Sequence, residues 1–232
     1  MKKITILVLT ILLALSFAAC DKQKTAAAPE GEKVYLKDPA VDFVATVDEA
    51  GWDAAMTAQN FENVTMYAYS LDSAGVPFMS VKIAGDRSYR FSEAEKADSE
   101  GPAYRYEHHY YYYTEDGKYY FLDNSTNINT ATDASSTRYR VEQTETYEGI
   151  TAQSFVENED GLMKKLTGQY SRFTYDEEER LYVGTIEGTQ AQIEVSFQDG
   201  KLVYVKLNMD DYWQSWEFVD YGSTNVEIPE EE

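Results

Sequence analysis

A two-residue alternation of apolar and polar side chains is the feature that most constrains the fold of this chain. From Glu62 onwards it recurs in short runs, such as Met79–Ile83, Ala191–Phe197 and Val203–Met209. Because successive side chains of a strand point to opposite faces, each run predicts a strand that buries one face. The connections between consecutive runs are mostly short, which predicts antiparallel pairing.

Turn signals separate many of these runs. Gly85-Asp86, Asp116-Gly117 and Asp199-Gly200 each lie between two alternating segments, and Gly and Asp supply the positive φ that tight hairpins need. Two longer segments are predicted to be loops. Residues 93–102 carry charge, Gly and Pro, and residues 124–137 are rich in Ser, Thr and Asn.

Two segments are predicted to be helical. In Asp48–Ala58, Asp48 is a suitable N-cap, and Trp52 and Met56 fall on one face of the helix. The second region, Glu142–Thr167, is divided by glycines. The predicted order is a helix, several strands, further helical segments and five more strands. This order predicts an α+β domain, which is a large antiparallel sheet with two helical elements packed on one face.

The N-terminus places the only cysteine directly after a short apolar stretch. Lys2 and Lys3 precede the apolar residues Ile4–Leu15, and Cys20 follows a few small residues later. This layout is typical of an export signal. The stretch is shorter than the roughly 20 apolar residues of a membrane-spanning helix. An exported chain with one cysteine has no disulfide partner within itself.

The run Phe17-Ala18-Ala19-Cys20 resembles the lipobox of bacterial lipoproteins, in which the cysteine is acylated and becomes the new N-terminus. The resemblance predicts a signal peptide over residues 1–19, a flexible tether over 20–42 and a single domain over 43–232. A diacylglycerol group on Cys20 would hold the domain at the outer face of the cytoplasmic membrane. Two or three acyl chains give stable attachment.

Two other interpretations of the N-terminus stay open. Small residues at Ser16–Ala18 and Ala26–Ala28 suit an ordinary signal-peptide cleavage site, beside which Cys20 would have no special role. Alternatively, Cys20 is a cytosolic cysteine that follows an unusually hydrophobic start.

The charge of the chain excludes one class of partner. There are 41 acidic and 20 basic residues, which gives a net charge of −21. Such a surface repels the phosphates of nucleic acids, so no nucleic acid is expected to bind. It also repels anionic lipid headgroups, so membrane attachment must come from the acyl chains.

Tyrosines concentrate in the segment Tyr104–Tyr113, which is predicted to be a strand. Tyrosine offers a large contact area at low entropic cost, and its ring stacks on sugars or apolar ligands. With the apolar face of the first helix, these tyrosines supply the candidate ligand-binding residues Trp52, Met56, Tyr104, Tyr106, Tyr110 and Tyr112. The alternative is that the tyrosines pack under the helices and line the rim of the sheet.

No pattern in the chain predicts catalysis. His108 and His109 point to opposite faces of a strand and cannot share one metal ion without distortion. The acidic run Asp176–Glu179 lacks the ligand spacing of a calcium loop. Nucleophile motifs such as G-x-S-x-G are absent from the sequence. We therefore expect a binding protein without metal or cofactor, not an enzyme.

The order of elements resembles the Lol-carrier-like group of extracytoplasmic bacterial lipoproteins and lipoprotein carriers. The resemblance spans residues 48–229 and is carried by the Trp52 helix, Asn63–Thr65, the helical segment ending near Leu166, Phe173–Asp176, Asp199–Leu202, Asp220–Thr224 and Ile228-Pro229. It implies an open, strongly curved antiparallel sheet, a half-barrel, with helices across its concave side. It also implies a cavity between sheet and helices that holds an acyl chain or another apolar ligand.

Two other hypotheses for the function stay open beside the carrier. One is an enzyme such as a hydrolase of wall polymers, which turnover abolished by single carboxylate changes would support. The other is a binding module, a surface interaction module without a ligand cavity, which docks an envelope protein or a glycan through exposed tyrosines.

Overall fold

The structure is a computed structural model that describes residues 44–71, 76–96, 104–129, 135–143, 148–158, 161–186, 191–209 and 212–230. The side chains of residues 94–96, 104–105, 127–129 and 135–137 lie outside this description. The predicted signal peptide, Cys20 and the predicted tether also lie outside it, so what the sequence predicts for them stays a prediction. Across the described ranges, no helix combines the length and the apolar character needed to cross a bilayer.

Eleven strands form one open antiparallel sheet. They are β1 (Asn63–Ser70), β2 (Met79–Ala84), β3 (Arg87–Lys96), β4 (Tyr104–Glu115), β5 (Lys118–Asn129), β6 (Ser135–Gln143), β7 (Phe173–Asp176), β8 (Leu181–Thr185), β9 (Gln192–Gln198), β10 (Lys201–Met209) and β11 (Tyr212–Val219). Their spatial order is β6-β5-β4-β3-β2-β1-β11-β10-β9-β8-β7. Apart from β6 and β7, which lie at opposite edges, consecutive described strands pair antiparallel as predicted, and β1 and β11 meet in the middle of the sheet.

The helical elements are short. They are α1 (Glu49–Ala55), α2 (Ala152–Glu157) and α3 (Leu162–Leu166), with 3₁₀ turns at Ala58–Phe61 and Tyr170–Arg172. The carboxylate of Asp48 accepts a hydrogen bond of 2.8 Å from the amide of Gly51, which confirms the predicted N-cap of the first helix. That helix is shorter than predicted, because the chain tightens into a 3₁₀ turn after Ala55.

One connection crosses the whole sheet, because it joins the edge strands β6 and β7. The amide of Ile150 donates to Ser88 Oγ on β3 at 3.1 Å. Further along, the ring of Phe155 lies 5.3 Å from that of Phe61 and 6.3 Å from that of Phe218 on β11. All these contacts lie on one face of the sheet, which we call the helix-side face.

Trp52 lies at the centre of the core under the helices. Its side chain is 0% exposed, and its ring centroid lies 4.7 Å from that of Phe173, 5.2 Å from Phe197 and 5.5 Å from Tyr182. The indole Nε1 donates to the carbonyl of Leu166 at 2.9 Å. Side chains therefore fill the space between helices and sheet around Trp52.

The C-terminal segment after β11 lies on the opposite face. The amide of Thr224 donates to Asn63 Oδ1 at 2.7 Å, and the hydroxyls of Thr224 and Thr65 lie 3.0 Å apart. At the far end, Arg138 Nη2 donates to the carbonyl of Pro229 at 3.2 Å. The segment thus extends from the central strand β1 to the edge strand β6.

Both predicted loops are partly wrong. β3 continues to Lys96, and the polar segment 124–137 belongs largely to β5 and β6, which end at Asn129 and begin at Ser135. Pairing explains the difference, because a polar strand is stabilised by its neighbours on the ladder. Asn127, for example, pairs with Tyr106 of β4 on one side and with Ser135 of β6 on the other.

The predicted hairpin turns are confirmed. Asp116 and Gly117 have φ values of 51° and 73°, and Asp199 and Gly200 have values of 50° and 76°. Two successive residues with positive φ are the arrangement that matches the twist of antiparallel strands.

Candidate ligand-binding face

The helix-side face changes character between β2 and β3. One cross-strand row shows the change, and it runs through Met66, Val81, Arg90, Tyr110, Asp123 and Tyr139 on strands β1 to β6. Met66 and Val81 are buried in the core, whereas Tyr139 is 45% exposed. The part of this face formed by β3 to β6 is therefore polar, aromatic and more open to solvent.

Six rings form this part of the surface, which we call the open aromatic face. They belong to Tyr106, His108, Tyr110, Tyr112, Phe121 and Tyr139, and each is at least partly exposed. Three of them form a ladder along β4. The rings of Tyr106 and His108 lie 5.8 Å apart with an angle of 9°, and those of His108 and Tyr110 lie 5.6 Å apart with an angle of 21°.

The ring of Phe121 joins this ladder to the edge of the sheet. It lies 5.6 Å from the ring of Tyr110, 4.9 Å from that of Tyr112 and 5.9 Å from that of Tyr139. Next to Tyr139 on the same face of β6, Val141 is 46% exposed. The result is a broad aromatic platform on one side of a pleated sheet.

Polar groups lie among these rings and are hydrogen-bonded to one another. His108 Nδ1 lies 3.1 Å from both Tyr110 Oη and Ser125 Oγ, and Ser125 donates in turn to Asp123. Asp123 is 9% exposed, and the hydroxyl of Tyr139 also donates to it. The buried carboxylate therefore has partners within the protein, as a buried charge requires.

The phenols of Tyr110 and Tyr139 on this face stay protonated near neutral pH. Burial, with a further contribution from the charge of Asp123, raises the pKa of Tyr110 and that of Tyr139. A protonated phenol both donates and accepts hydrogen bonds, so the rims of these rings can contact a polar ligand.

The structure brings together part of the predicted ligand-binding set. Tyr106, Tyr110 and Tyr112 lie side by side on the open aromatic face, as the alternation predicts, while the side chain of Tyr104 lies outside the described residues. Trp52 and Met56 are instead 0% and 1% exposed within the core. A ligand would reach these two residues only if the core opened.

His108 and His109 lie on opposite faces, as expected for neighbours on a strand. His109 Nδ1 lies 2.9 Å from the hydroxyl of Tyr89, away from His108 and its partners. Across the described residues, no group of three or more His, Cys, Asp or Glu side chains is placed to hold a metal ion.

Two clefts lie on the other face of the sheet, beneath the C-terminal segment. The larger has a volume of about 610 Å³ and is lined on the sheet side by Thr65, Lys82, Tyr89 and Tyr111. The smaller has a volume of about 260 Å³, with Arg140 among its lining residues. Neither cleft lies between the helices and the sheet.

A partly buried acid on this opposite face, Glu217, predicts a pH dependence. Burial raises the pKa of Glu217, and the hydrogen bond from Tyr69 offsets part of that increase. The folded state therefore holds this proton at a higher pH than the unfolded state. The contribution of Glu217 to stability is complete below the unfolded pKa and is lost as the pH rises through the folded pKa.

We expect Glu217→Gln to remove this pH dependence. Urea unfolding of the variant and the native protein at about pH 4 and about pH 8, on either side of the usual glutamate range, measures the effect. The stability of the variant relative to the native protein should increase with pH. A decrease over the same interval would contradict the assignment.

Comparison with known proteins gives a coarse likeness of fold. No protein-family model matches the chain, and no curated protein matches it. Similar solved structures include the crystal structure of LprF from Mycobacterium bovis, with 14% sequence identity and a TM-score of 0.42. That match covers 78% of this chain and 95% of the other.

Proposed function

We propose that this protein is an extracytoplasmic lipoprotein that binds a saccharide on the open aromatic face and has no catalytic activity. Its anchor would be the diacylglycerol group predicted on Cys20, at the outer face of the cytoplasmic membrane. The observation that carries the proposal is the platform of six partly exposed rings with polar groups placed among them. Mass spectrometry of the native N-terminus tests the anchor separately.

A saccharide fits the mixed chemistry of this face. One side of a sugar ring presents C–H groups, which pack on the flat face of an aromatic ring, while the hydroxyls at its rim form hydrogen bonds. Tyr106, His108 and Tyr110 supply a row of such rings about 6 Å apart. The phenol hydroxyls and His108 supply partners for the sugar hydroxyls.

An acyl chain fits this face less well. It would remove water from the imidazole and hydroxyl groups of His108, Tyr110 and Ser125 without replacing the hydrogen bonds. The family resemblance implies a half-barrel with an acyl chain between sheet and helices, but side chains occupy that space around Trp52. If the sheet does curve in this way, the open aromatic face extends its concave surface beyond the helices.

The exposed ring of Tyr139 provides the first test. We expect Tyr139→Ala to weaken saccharide binding by about tenfold, the effect of losing roughly 1.4 kcal/mol of ring contact. The full chain in detergent, applied to an array of neutral and acidic oligosaccharides, identifies a ligand for calorimetric titration. Because Tyr139 is 45% exposed on an edge strand, the fold should tolerate the change.

Tyr67→Ala is the matched control, because Tyr67 is a partly exposed tyrosine on the opposite face of the same sheet. The affinity of the Tyr67→Ala variant for the saccharide should stay within about twofold of that of the native protein. Failure to retain any saccharide, or an equal loss from both variants, would contradict the proposal.

A second candidate function rests on the larger cleft. Its volume of about 610 Å³ lies within the usual range of small-molecule sites. Tyr89 and Tyr111 supply apolar walls, and the Nζ atom of Lys82 lies 5.9 Å from the ring centroid of Tyr89. A small molecule that is retained on purification, and whose binding depends on Lys82 and not on Tyr139, would favour this cleft.

A further inference from the structure

We infer that the saccharide bound by the open aromatic face is acidic, and that its carboxylate pairs with the guanidinium of Arg90. This inference rests on the proposed function and names the chemical class of the ligand. Three features of Arg90 carry it: its position in the sheet, its unpaired nitrogen and the lack of an acid directly opposite it on the described strands.

Arg90 lies where the covered core meets the open aromatic face. On β3 it pairs across the sheet with Val81 of β2 on one side and Tyr110 of β4 on the other. Val81 is 4% exposed and belongs to the core, whereas Tyr110 belongs to the aromatic ladder. The aliphatic part of Arg90 therefore has apolar neighbours, while its guanidinium adjoins the rings.

The guanidinium of Arg90 is incompletely paired. Its Nε atom is buried and has no hydrogen-bond partner in the part of the chain that the structure describes. Leaving a buried N–H unpaired is costly, more so for a charged group, and native proteins seldom do so without a reason. A carboxylate matches the fork of guanidinium N–H donors, since its two oxygens accept two parallel hydrogen bonds.

Among the described strands, neither residue directly opposite Arg90 is acidic, since these are Val81 and Tyr110. The nearest acid in this row is Asp123, two strands from Arg90 beyond Tyr110, where the two backbones lie about 10 Å apart. Asp123 already accepts hydrogen bonds from Ser125 and Tyr139. In a chain with 41 acidic and 20 basic residues, an arginine with no acid directly opposite it on the described strands, at the edge of a binding surface, is informative.

The distance between neighbouring strands of the sheet suits a sugar acid. Neighbouring strands lie about 4.8 Å apart, close to the width of a pyranose ring. A sugar stacked on Tyr110 therefore places a substituent of its ring over the adjacent strand, where Arg90 lies. The net charge of −21 repels anions at a distance, but salt screens that repulsion beyond about 8 Å, so a contact pair at Arg90 decides the selectivity.

The test uses two ligands with the same sugar rings, one with free carboxylates and one with its carboxyl groups methylated and therefore uncharged. A tetramer of galacturonic acid and its methyl ester are titrated against the full chain in detergent. We expect the acid to bind at least tenfold more tightly than the ester, as for one charge-assisted pair of roughly 1.4 kcal/mol. Arg90→Gln should reduce this preference to within about twofold, and Arg90→Lys should retain part of it.

Arg140→Gln is the control variant, because Arg140 lies on the other face, over the ring of Tyr120 at 3.8 Å. It should leave the preference for the acid unchanged. If Arg90→Gln fails to fold, Arg90→Lys and the comparison of acid with ester still decide the question.

The outcomes separate the two proposals. Equal binding of acid and ester overturns the role of Arg90 and leaves saccharide binding in place. An equal loss of preference in Arg140→Gln also overturns it. Binding of neither ligand, together with no retention on the array, removes the proposed function and this inference with it.

Discussion

Trp52→Ala is expected to lower the free energy of unfolding by about 3–5 kcal/mol, the usual cost of removing a large buried aromatic side chain. Trp52 is 0% exposed and contacts the rings of Phe173, Tyr182 and Phe197. Removing the indole leaves a cavity that these neighbours, which lie on strands of one sheet, cannot fill by moving together. Urea unfolding of the variant and the native protein measures the loss.

Trp52→Phe separates the hydrogen bond from the packing. It keeps an aromatic ring but leaves the carbonyl of Leu166 without the donor that now lies 2.9 Å away. Losing the partner of a buried acceptor costs about 1–3 kcal/mol, so this variant should lie between Trp52→Ala and the native protein.

Trp213→Ala is the matched control, because Trp213 is only partly buried, with Lys206 Nζ at 5.6 Å from its ring. It should cost less than about 1 kcal/mol, since little packed area is lost. Equal losses from Trp213→Ala and Trp52→Ala would contradict the placement of Trp52 at the centre of the core.

The Trp52 variants also bear on the family resemblance. If Trp52 lined an acyl cavity, its removal would enlarge that cavity and change the binding of a fatty-acid probe, with a modest effect on stability. If the region is filled with side chains, as the ring contacts indicate, the main effect is a loss of stability.

Local features of the fold could be predicted from the sequence because they depend on a few neighbouring residues. Asp48 caps the first helix through the amide three residues later. Asp116-Gly117 and Asp199-Gly200 form tight turns because both residues of each pair adopt positive φ. The alternation likewise places Tyr106 and Tyr110 on one face of β4, whatever lies around that strand.

Long-range pairing could not be predicted in this way. The contact of β1 with β11, which places the chain's first and last strands side by side, depends on packing between segments about 150 residues apart. The same holds for the polar strand around Asn127, whose composition alone favours a loop but which lies between Tyr106 and Ser135 in the sheet. Strand formation there is imposed by the neighbours.

In the candidate site, too, local features could be predicted from the sequence and long-range contacts could not. Trp52 lies on the predicted apolar face of the first helix and Tyr110 on one face of the predicted tyrosine strand. Their different burial depends on how far the helical elements extend over the sheet. Arg90 and Asp123 were not among the predicted site residues. They join Tyr110 through the registers of β3, β4 and β5, and a single sequence carries no direct signal for those registers.

Gly184→Ala is expected to destabilise the protein by about 1–3 kcal/mol, the usual cost of inserting a methyl group into packed surroundings. A Cβ atom at Gly184 would lie 2.4 Å from the carbonyl oxygen of Arg172 and 2.8 Å from the ring of Phe173. Phe173 is the residue directly opposite on β7. The cause is steric, because the carbonyl of Arg172 in the turn before β7 and the ring of Phe173 on β7 occupy the space.

The exposed neighbour Thr185 supplies the control, since Thr185→Ala removes atoms from the same strand without adding any near β7. It should change the free energy of unfolding by less than about 0.5 kcal/mol, as is usual at the surface. Among the described strands β7 pairs only with β8, so hydrogen exchange should show lost protection on β7 before the rest of the sheet. Gly184→Ala could instead keep the native stability and the native protection of β7. That result would contradict the distance of 2.4 Å between a Cβ atom at residue 184 and the carbonyl oxygen of Arg172.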